Sequence, residues 1–156
     1  INLYQSLIKN PDRFEFALEK SVELGVQTIY PVITEHVINK TTNKTERWQS
    51  IALSAMKQSQ RCVLPKVSQP VSFTEAVSGA KSELKLIADE KENPLRVDFS
   101  SITGTYLSID IFIGPEGGFS AAETEFALSK GFKILGLGAR KYRSETAAIY
   151  AISKLL

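Results

Sequence analysis

The sequence predicts an α/β domain, a mostly parallel sheet with helices on both faces. Three observations carry that prediction. Apolar runs alternate along the chain with segments of helical spacing. Several of the runs, LKLIA and LSIDIFI above all, are almost continuously apolar, as strands buried on both faces must be. Helix-start signals stand immediately before helical segments, at Asn10-Pro11 and at Ser120.

Each element has its own reason. Asn10 is a suitable N-cap and Pro11 takes the first helical position. Phe14, Ala17, Leu18 and Val22 then follow helical spacing, and Gly25 suits the left-handed position beyond the last turn. VQTIYPVI (26–33) is rich in β-branched and aromatic residues and reads as a strand. INKTTNKT (38–45) is a polar loop. A second helix is expected from Glu46 to about Gln60, with Trp48, Ile51, Ala52, Ala55, Met56 and Ser59 on one face. Lys57 and Arg61, four apart, share another face. FTEAVSGA (73–80) reads as a short helix and LKLIA (84–88) as a buried strand. Asp89 to Thr105 is polar, contains Pro94 and Gly104, and reads mostly as loop. LSIDIFI (107–113) is the clearest strand. Ser120 and Glu123 have the capping-box spacing, which places a helix from Ala121 to about Lys130, closed by Gly131. FKILGL (132–137) is a further strand and SETAAIYAISKLL (144–156) a final helix.

Composition narrows the class. A chain of 156 residues is expected to form one domain, and 43% apolar with 23% charged residues is the balance of a soluble globular protein. No apolar run approaches the roughly 20 residues that span a bilayer, and INLYQSLIKN is no signal peptide. The chain begins at Ile1 rather than Met, so an upstream segment is expected. The single cysteine, Cys62, excludes an intrachain disulfide and a cysteine-rich metal site. A reduced, cytoplasmic setting follows, with no metal and with Cys62 buried or half-buried. Net charge is only +2, but it is uneven. Lys40, Lys44, Arg47, Lys57, Arg61 and Lys66 form one basic region, and Lys133, Arg140, Lys141 and Arg143 a second. Acids gather at Glu75, Glu83, Asp89, Glu90, Glu92 and Asp98. Two basic regions make a phosphate-binding face if folding joins them, and a solvated surface if it does not.

Two glycine-bearing turns stand where a strand hands over to a helix, the end of an open α/β sheet where ligands bind. The first is Gly114-Pro115-Glu116-Gly117-Gly118-Phe119-Ser120. Its glycines admit a ligand close to the main chain, Glu116 accepts hydrogen bonds from an amine or hydroxyl, and the Ser120 helix start leaves free amides nearby. The spacing is neither a dinucleotide fingerprint nor a P-loop. The second turn runs from Leu135 to Thr146. Gly136 and Gly138 bracket Leu137 and expose backbone groups that can read an adenine edge, while Arg140 and Arg143 can hold phosphate or a developing anion. The plainer reading of both is a tight turn before a capped helix.

Together these segments resemble the ribosomal small-subunit methyltransferase E family, which methylates N3 of a uridine in 16S rRNA. The family pattern IGPEGGFS is matched from Ile113 to Ser120. Its second stretch is matched at Leu137, Gly138, Arg140, Arg143, Glu145, Thr146 and Ala147. EKSVELGVQTIYPVITEH and ERWQSIALSAMKQSQRCVLPKV resemble two upstream family segments, so the resemblance covers nearly the whole chain in order. It implies a SPOUT-class fold with a C-terminal trefoil knot, S-adenosyl-L-methionine as methyl donor, ribosomal RNA of the small subunit as partner, and a homodimer. It also implies an N-terminal PUA-like RNA-binding domain that no segment of this chain matches, so residues 1–156 are expected to be the catalytic domain. The implied cofactor site is Gly114, Pro115, Glu116, Gly117, Gly118, Leu137, Gly138, Tyr142 and Ser144. Lys57, Arg61, Arg140 and Arg143 are expected to meet RNA. Where the family has an apolar pair, this chain has Lys141-Tyr142, with Tyr142 expected against the purine and Lys141 turned to water or RNA.

Uracil N3 is a poor nucleophile until its proton leaves, so the reaction needs a base or a stabiliser of the uracil anion. Arg143 is expected to stabilise, and Glu145 or Glu116 to act as base unless they are structural. His36 reads as a loop residue and Trp48 as core. Two other functions fit the same residues: methylation of another RNA position, and a dimeric RNA-binding module without turnover.

Overall fold

The computed structural model describes every residue except Asn39, Thr41 and Glu92. Two residues of the expected polar loop and one acid of the acidic stretch therefore lie outside the described residues. The strands are β1 (Asn2–Ser6), β2 (Thr28–Ile33), β3 (Lys66–Val67), β4 (Val71–Ser72), β5 (Leu84–Ala88), β6 (Arg96–Val97), β7 (Ile109–Ile113) and β8 (Lys133–Leu135). They form one sheet in the order β3-β2-β1-β7-β5-β8-β6, with β4 also on β2. Every described pairing is parallel. The carboxyl ends of β7, β5 and β8 therefore open side by side on one edge.

The helices are α1 (Pro11–Glu23), α2 (Thr45–Gln58), α3 (Phe73–Gly79), α4 (Ala121–Ser129) and α5 (Ser144–Leu155). Strand alternation sends side chains to two separate cores. Leu3, Leu86, Ile109, Ile111 and Ile113 pack with Phe14 and Leu18 of α1, Trp48 and Ala52 of α2, and Ala148 and Ile152 of α5. Tyr4, Ile87, Phe112 and Ile134 point the other way, onto Phe73 and Val77 of α3 and Ala127 of α4. Helices thus cover both faces, as the apolar strands require. Phe112 anchors the second core, stacked on Tyr4 at 4.1 Å and edge-on to Phe73 and Phe132.

The expected caps form. Asn10 accepts from the Asp12 amide, Ser120 and Glu123 make a complete capping box, and Gly25 and Gly131 lie at φ +100° and +81°. α3 gains a second capping box from Ser72 and Glu75. The stretch expected to be loop after Asp89 instead supplies β6 and a short 3₁₀ turn, Phe99–Ser101. β6 exists because β8 offers it a free edge: Arg96 and Val97 register against Ile134 and Leu135. Cys62 is exposed rather than buried, since α2 ends at Gln58 and Cys62 stands in the irregular chain beyond it.

Candidate active site

Three parallel strands deliver three loops to one place. Beyond β5, β7 and β8 lies a cavity of about 380 Å³, within the range of small-molecule sites. Ala88, Asp89 and Glu90 line it from the end of β5, Ile113 to Glu116 and Gly118 from the end of β7, and Leu137 onward from the end of β8. The first turn closes on itself where the Gly118 amide donates to the Pro115 carbonyl at 2.9 Å, with Gly118 at φ +67°. The second is pinned to the first by Ser144, whose hydroxyl donates to the Gly114 carbonyl at 2.5 Å. Gln5 of β1, fully buried, donates to the same hydroxyl at 2.9 Å. One short network therefore holds both turns against β1.

The charges are arranged in pairs. Arg13, in the first turn of α1, makes a two-pronged contact with Glu145: Nε to Oε1 at 2.9 Å and Nη2 to Oε2 at 2.8 Å. Its Nη1 lies 3.6 Å from Oε1 of Glu116. At the rim, Lys141 Nζ meets Glu90 Oε1 at 2.7 Å, and both side chains are more than half exposed. Arg143 stands at the N-cap of α5, exposed, with no capping bond from its side chain. It lines the cavity together with Arg140 and Arg96.

Glu145 is nearly buried, and burial alone would raise its pKa; the Arg13 hydrogen bonds, its own amide and the charges of Arg13 and Arg143 outweigh that and hold it below the usual carboxylate value. A depressed carboxylate contributes stability that is complete above the ordinary Glu value, ~4.3, and lost as pH falls through the folded value. Glu145→Gln should therefore be less stable than wild type near neutrality, and the gap should close below about pH 4. Denaturant titrations across that range check it; a gap that widens in acid would contradict the sign.

Residues 1–156, the entire chain, match the family described as RNA methyltransferase domain. The chain belongs to that family. It is similar to the ribosomal RNA small subunit methyltransferase E of Mesomycoplasma hyopneumoniae, 36% identical over 92% of this chain and 63% of that protein. It is also similar to the crystal structure of a ribosomal RNA small subunit methyltransferase E from Neisseria gonorrhoeae bound to S-adenosyl methionine. That pair shares 38% identity at a TM-score of 0.89, over 97% of this chain and 63% of the other. The chain thus spans a little under two thirds of these relatives' length. The fold extends to a SpoU methyltransferase from Streptomyces viridochromogenes, with a TM-score of 0.60 at 14% identity, covering 99% of this chain and 58% of that one.

In this RNA methyltransferase domain, Gly114, Pro115, Glu116, Gly118, Leu137, Gly138, Tyr142 and Ser144 all line the one cavity, as do Arg140 and Arg143. Gly117 does not; it faces His36, whose Cβ would stand 3.0 Å from any Cβ added there. The His36 ring nitrogen Nδ1 lies 3.1 Å and 3.0 Å from the Gly117 and Gly118 carbonyls, so this loop residue braces the first turn. Glu145 is not at the cavity wall. Both its oxygens face Arg13 and its basicity is lowered, so the expectation of a catalytic base there is revised to a structural anchor. Tyr142 reaches the cavity while stacking on Tyr150 at 5.0 Å. Lys141 is exposed to water at the rim, where it also pairs with Glu90.

The basic helix face of the sequence reading does not form. Arg61 lies beyond the end of α2, where Gln60 at φ +57° turns the chain back. Its guanidinium donates to the Val22, Gly25 and Val26 carbonyls at 2.7, 3.3 and 2.9 Å, closing the C-terminus of α1. Arg61 is a helix cap, not a free RNA contact. Lys57 is exposed on α2 and does not line the cavity. Lys66 on β3 and Lys133 on β8 sit five strands apart, roughly 24 Å at the usual spacing, so these two members of the basic regions do not meet. Arg13, Asp89, Glu90 and Arg96 line the cavity without having been singled out as ligand residues. Among the described residues, no helix is long and apolar enough to cross a membrane and no cluster of His, Cys, Asp and Glu could hold a metal.

Proposed function

We propose that this domain transfers the methyl group of S-adenosyl-L-methionine to N3 of a uridine in 16S ribosomal RNA. The observation that carries the reading is the convergence of IGPEGGFS and the Leu137–Ser144 turn on one cavity edged by Arg140 and Arg143. Exposed backbone of the two turns suits an adenosine, which needs amides and carbonyls more than charge, and Glu116 suits a ligand amine. When bound, the sulfonium supplies an activated methyl: the new N3–C bond forms as the S–C bond breaks, and sulfur keeps the electron pair.

The chain's own work is alignment and charge. Gly114 and Ser144 fix the two turns against each other, so donor and acceptor meet in one geometry. Arg143, with its planar guanidinium fork, neutralises the uracil oxygens as the N3 proton leaves to solvent. Support for the target comes from relatives named for small-subunit rRNA methylation. On the same reading residues 1–156 are the catalytic domain of a cytoplasmic homodimer, its C-terminal segment forms a trefoil knot, and a PUA-like RNA-binding domain accompanies it. The third of the relatives' length left uncovered has room for such a domain.

Nucleoside analysis of small-subunit rRNA, from cells lacking the enzyme and from the same cells supplied with it, tests the target. N3-methyluridine restored by the gene is the expected result. A restored methyl on ribose or on another base would overturn the position and keep the site.

A further inference from the structure

We propose that Arg13 is a positioning residue of the cavity, linking the two glycine turns through Glu116 and Glu145 so that the bound methyl donor meets a fixed wall. This inference rests on the proposed function and deepens it. Glu116 belongs to the first turn and Glu145 to the start of α5, just after the second. Glu116 and Glu145 are both carboxylates, so neither can hold the other directly. The cation between them comes from a third element, α1, which packs beside α5 in the same core. Arg13 fills that place with its fork on Glu145 at 2.8 and 2.9 Å and Nη1 3.6 Å from Glu116, and the same side chain lines the cavity.

The geometry explains why an arginine is needed. A guanidinium has five N–H donors in a rigid plane, enough to hold one carboxylate with two prongs and still face another. An ammonium offers charge without the fork. Among the described residues, Glu116 is otherwise held only by a long contact from the Lys9 amide at 3.4 Å. Removing Arg13 leaves two like charges at the junction of the turns and frees Glu116 to swing. Glu145 is linked through the backbone to Ser144 and Arg143, so the same loss loosens the bond from Ser144 to Gly114 that joins the turns.

A double-mutant cycle on the full chain tests this, read by calorimetric titration with S-adenosylmethionine and by thermal melting. Arg13→Gln is expected to weaken cofactor binding about tenfold, and Arg13→Lys to recover part of that loss. Glu145→Gln should also weaken binding, but the Arg13→Gln/Glu145→Gln pair should bind no worse than Arg13→Gln alone. Wild-type affinity in Arg13→Gln, or losses that multiply in the double variant, would overturn the linking role. A melting temperature that falls while affinity holds would do the same, since it marks Arg13 as a fold contact only. Failure of the wild type to bind the cofactor is a separate outcome that removes the proposed function itself, and with it this inference.

Discussion

Arg143→Ala is expected to lower methyl transfer by about 10²–10³-fold, the scale set by removing one charge-stabilising donor, while cofactor affinity changes little. The reasoning is local. Arg143 is the N-cap of α5 but makes no capping hydrogen bond through its side chain, so the truncation leaves the helix start intact. The side chain is exposed at the cavity edge, and the bonds joining the two turns run through Ser144, Gln5 and Gly114 instead. On the proposed function, what disappears is the cation expected to face the uracil oxygens as N3 loses its proton. Transfer of labelled methyl to undermethylated small subunits, beside titration of the cofactor, separates the two effects. Unaltered turnover would remove Arg143 from the mechanism. A parallel collapse of cofactor binding would place its role in the ground state.

Gly136→Val should be the most damaging glycine substitution at the site. A Cβ there would stand 2.7 Å from Nε and 2.9 Å from Cδ of Arg96, and 3.1 Å from Oδ1 of Asp98. Gly136 is buried, and its amide donates to the Val97 carbonyl at 2.9 Å, so the backbone cannot simply retreat. Arg96 must move, and Arg96 is both a cavity wall and half of β6. Overpacking of this kind costs about 1–3 kcal/mol, and the displaced wall should weaken cofactor binding as well. Gly79→Ala is the matched control, since a Cβ at Gly79 meets nothing within 4 Å. Denaturant melts and cofactor titration of the two variants should diverge; equal behaviour would show that Arg96 yields without effect.

Much of the fold was written in local signals. The caps at Asn10 and Ser120 formed as their side chains dictate, because a cap depends on residues within one turn of itself. Strands with β-branched runs were placed to within two residues. The two-residue strands β3, β4 and β6 were not legible, since so short a segment becomes a strand only when a neighbour presents a free edge. Site residues divide the same way. Those on the two turns were visible because glycine at strand ends has few other uses. Arg13 was invisible, because an arginine in the first turn of an amphipathic helix looks like any solvated charge until α5 is laid beside it. Arg61 misled for a related reason: its four-residue spacing from Lys57 implied a common helix face, yet the helix had already ended.

The claim on which everything else depends is that the cavity between the two turns binds S-adenosyl-L-methionine. Thermal melting of the wild-type chain with increasing cofactor tests it most directly, because a ligand specific for the native state adds about 2.7 kcal/mol of stability at a hundred times its dissociation constant. A saturable rise in melting temperature, shifted to higher cofactor concentration in Gly136→Val and retained in Arg143→Ala, is the predicted result. An unchanged melting temperature at millimolar cofactor would contradict it.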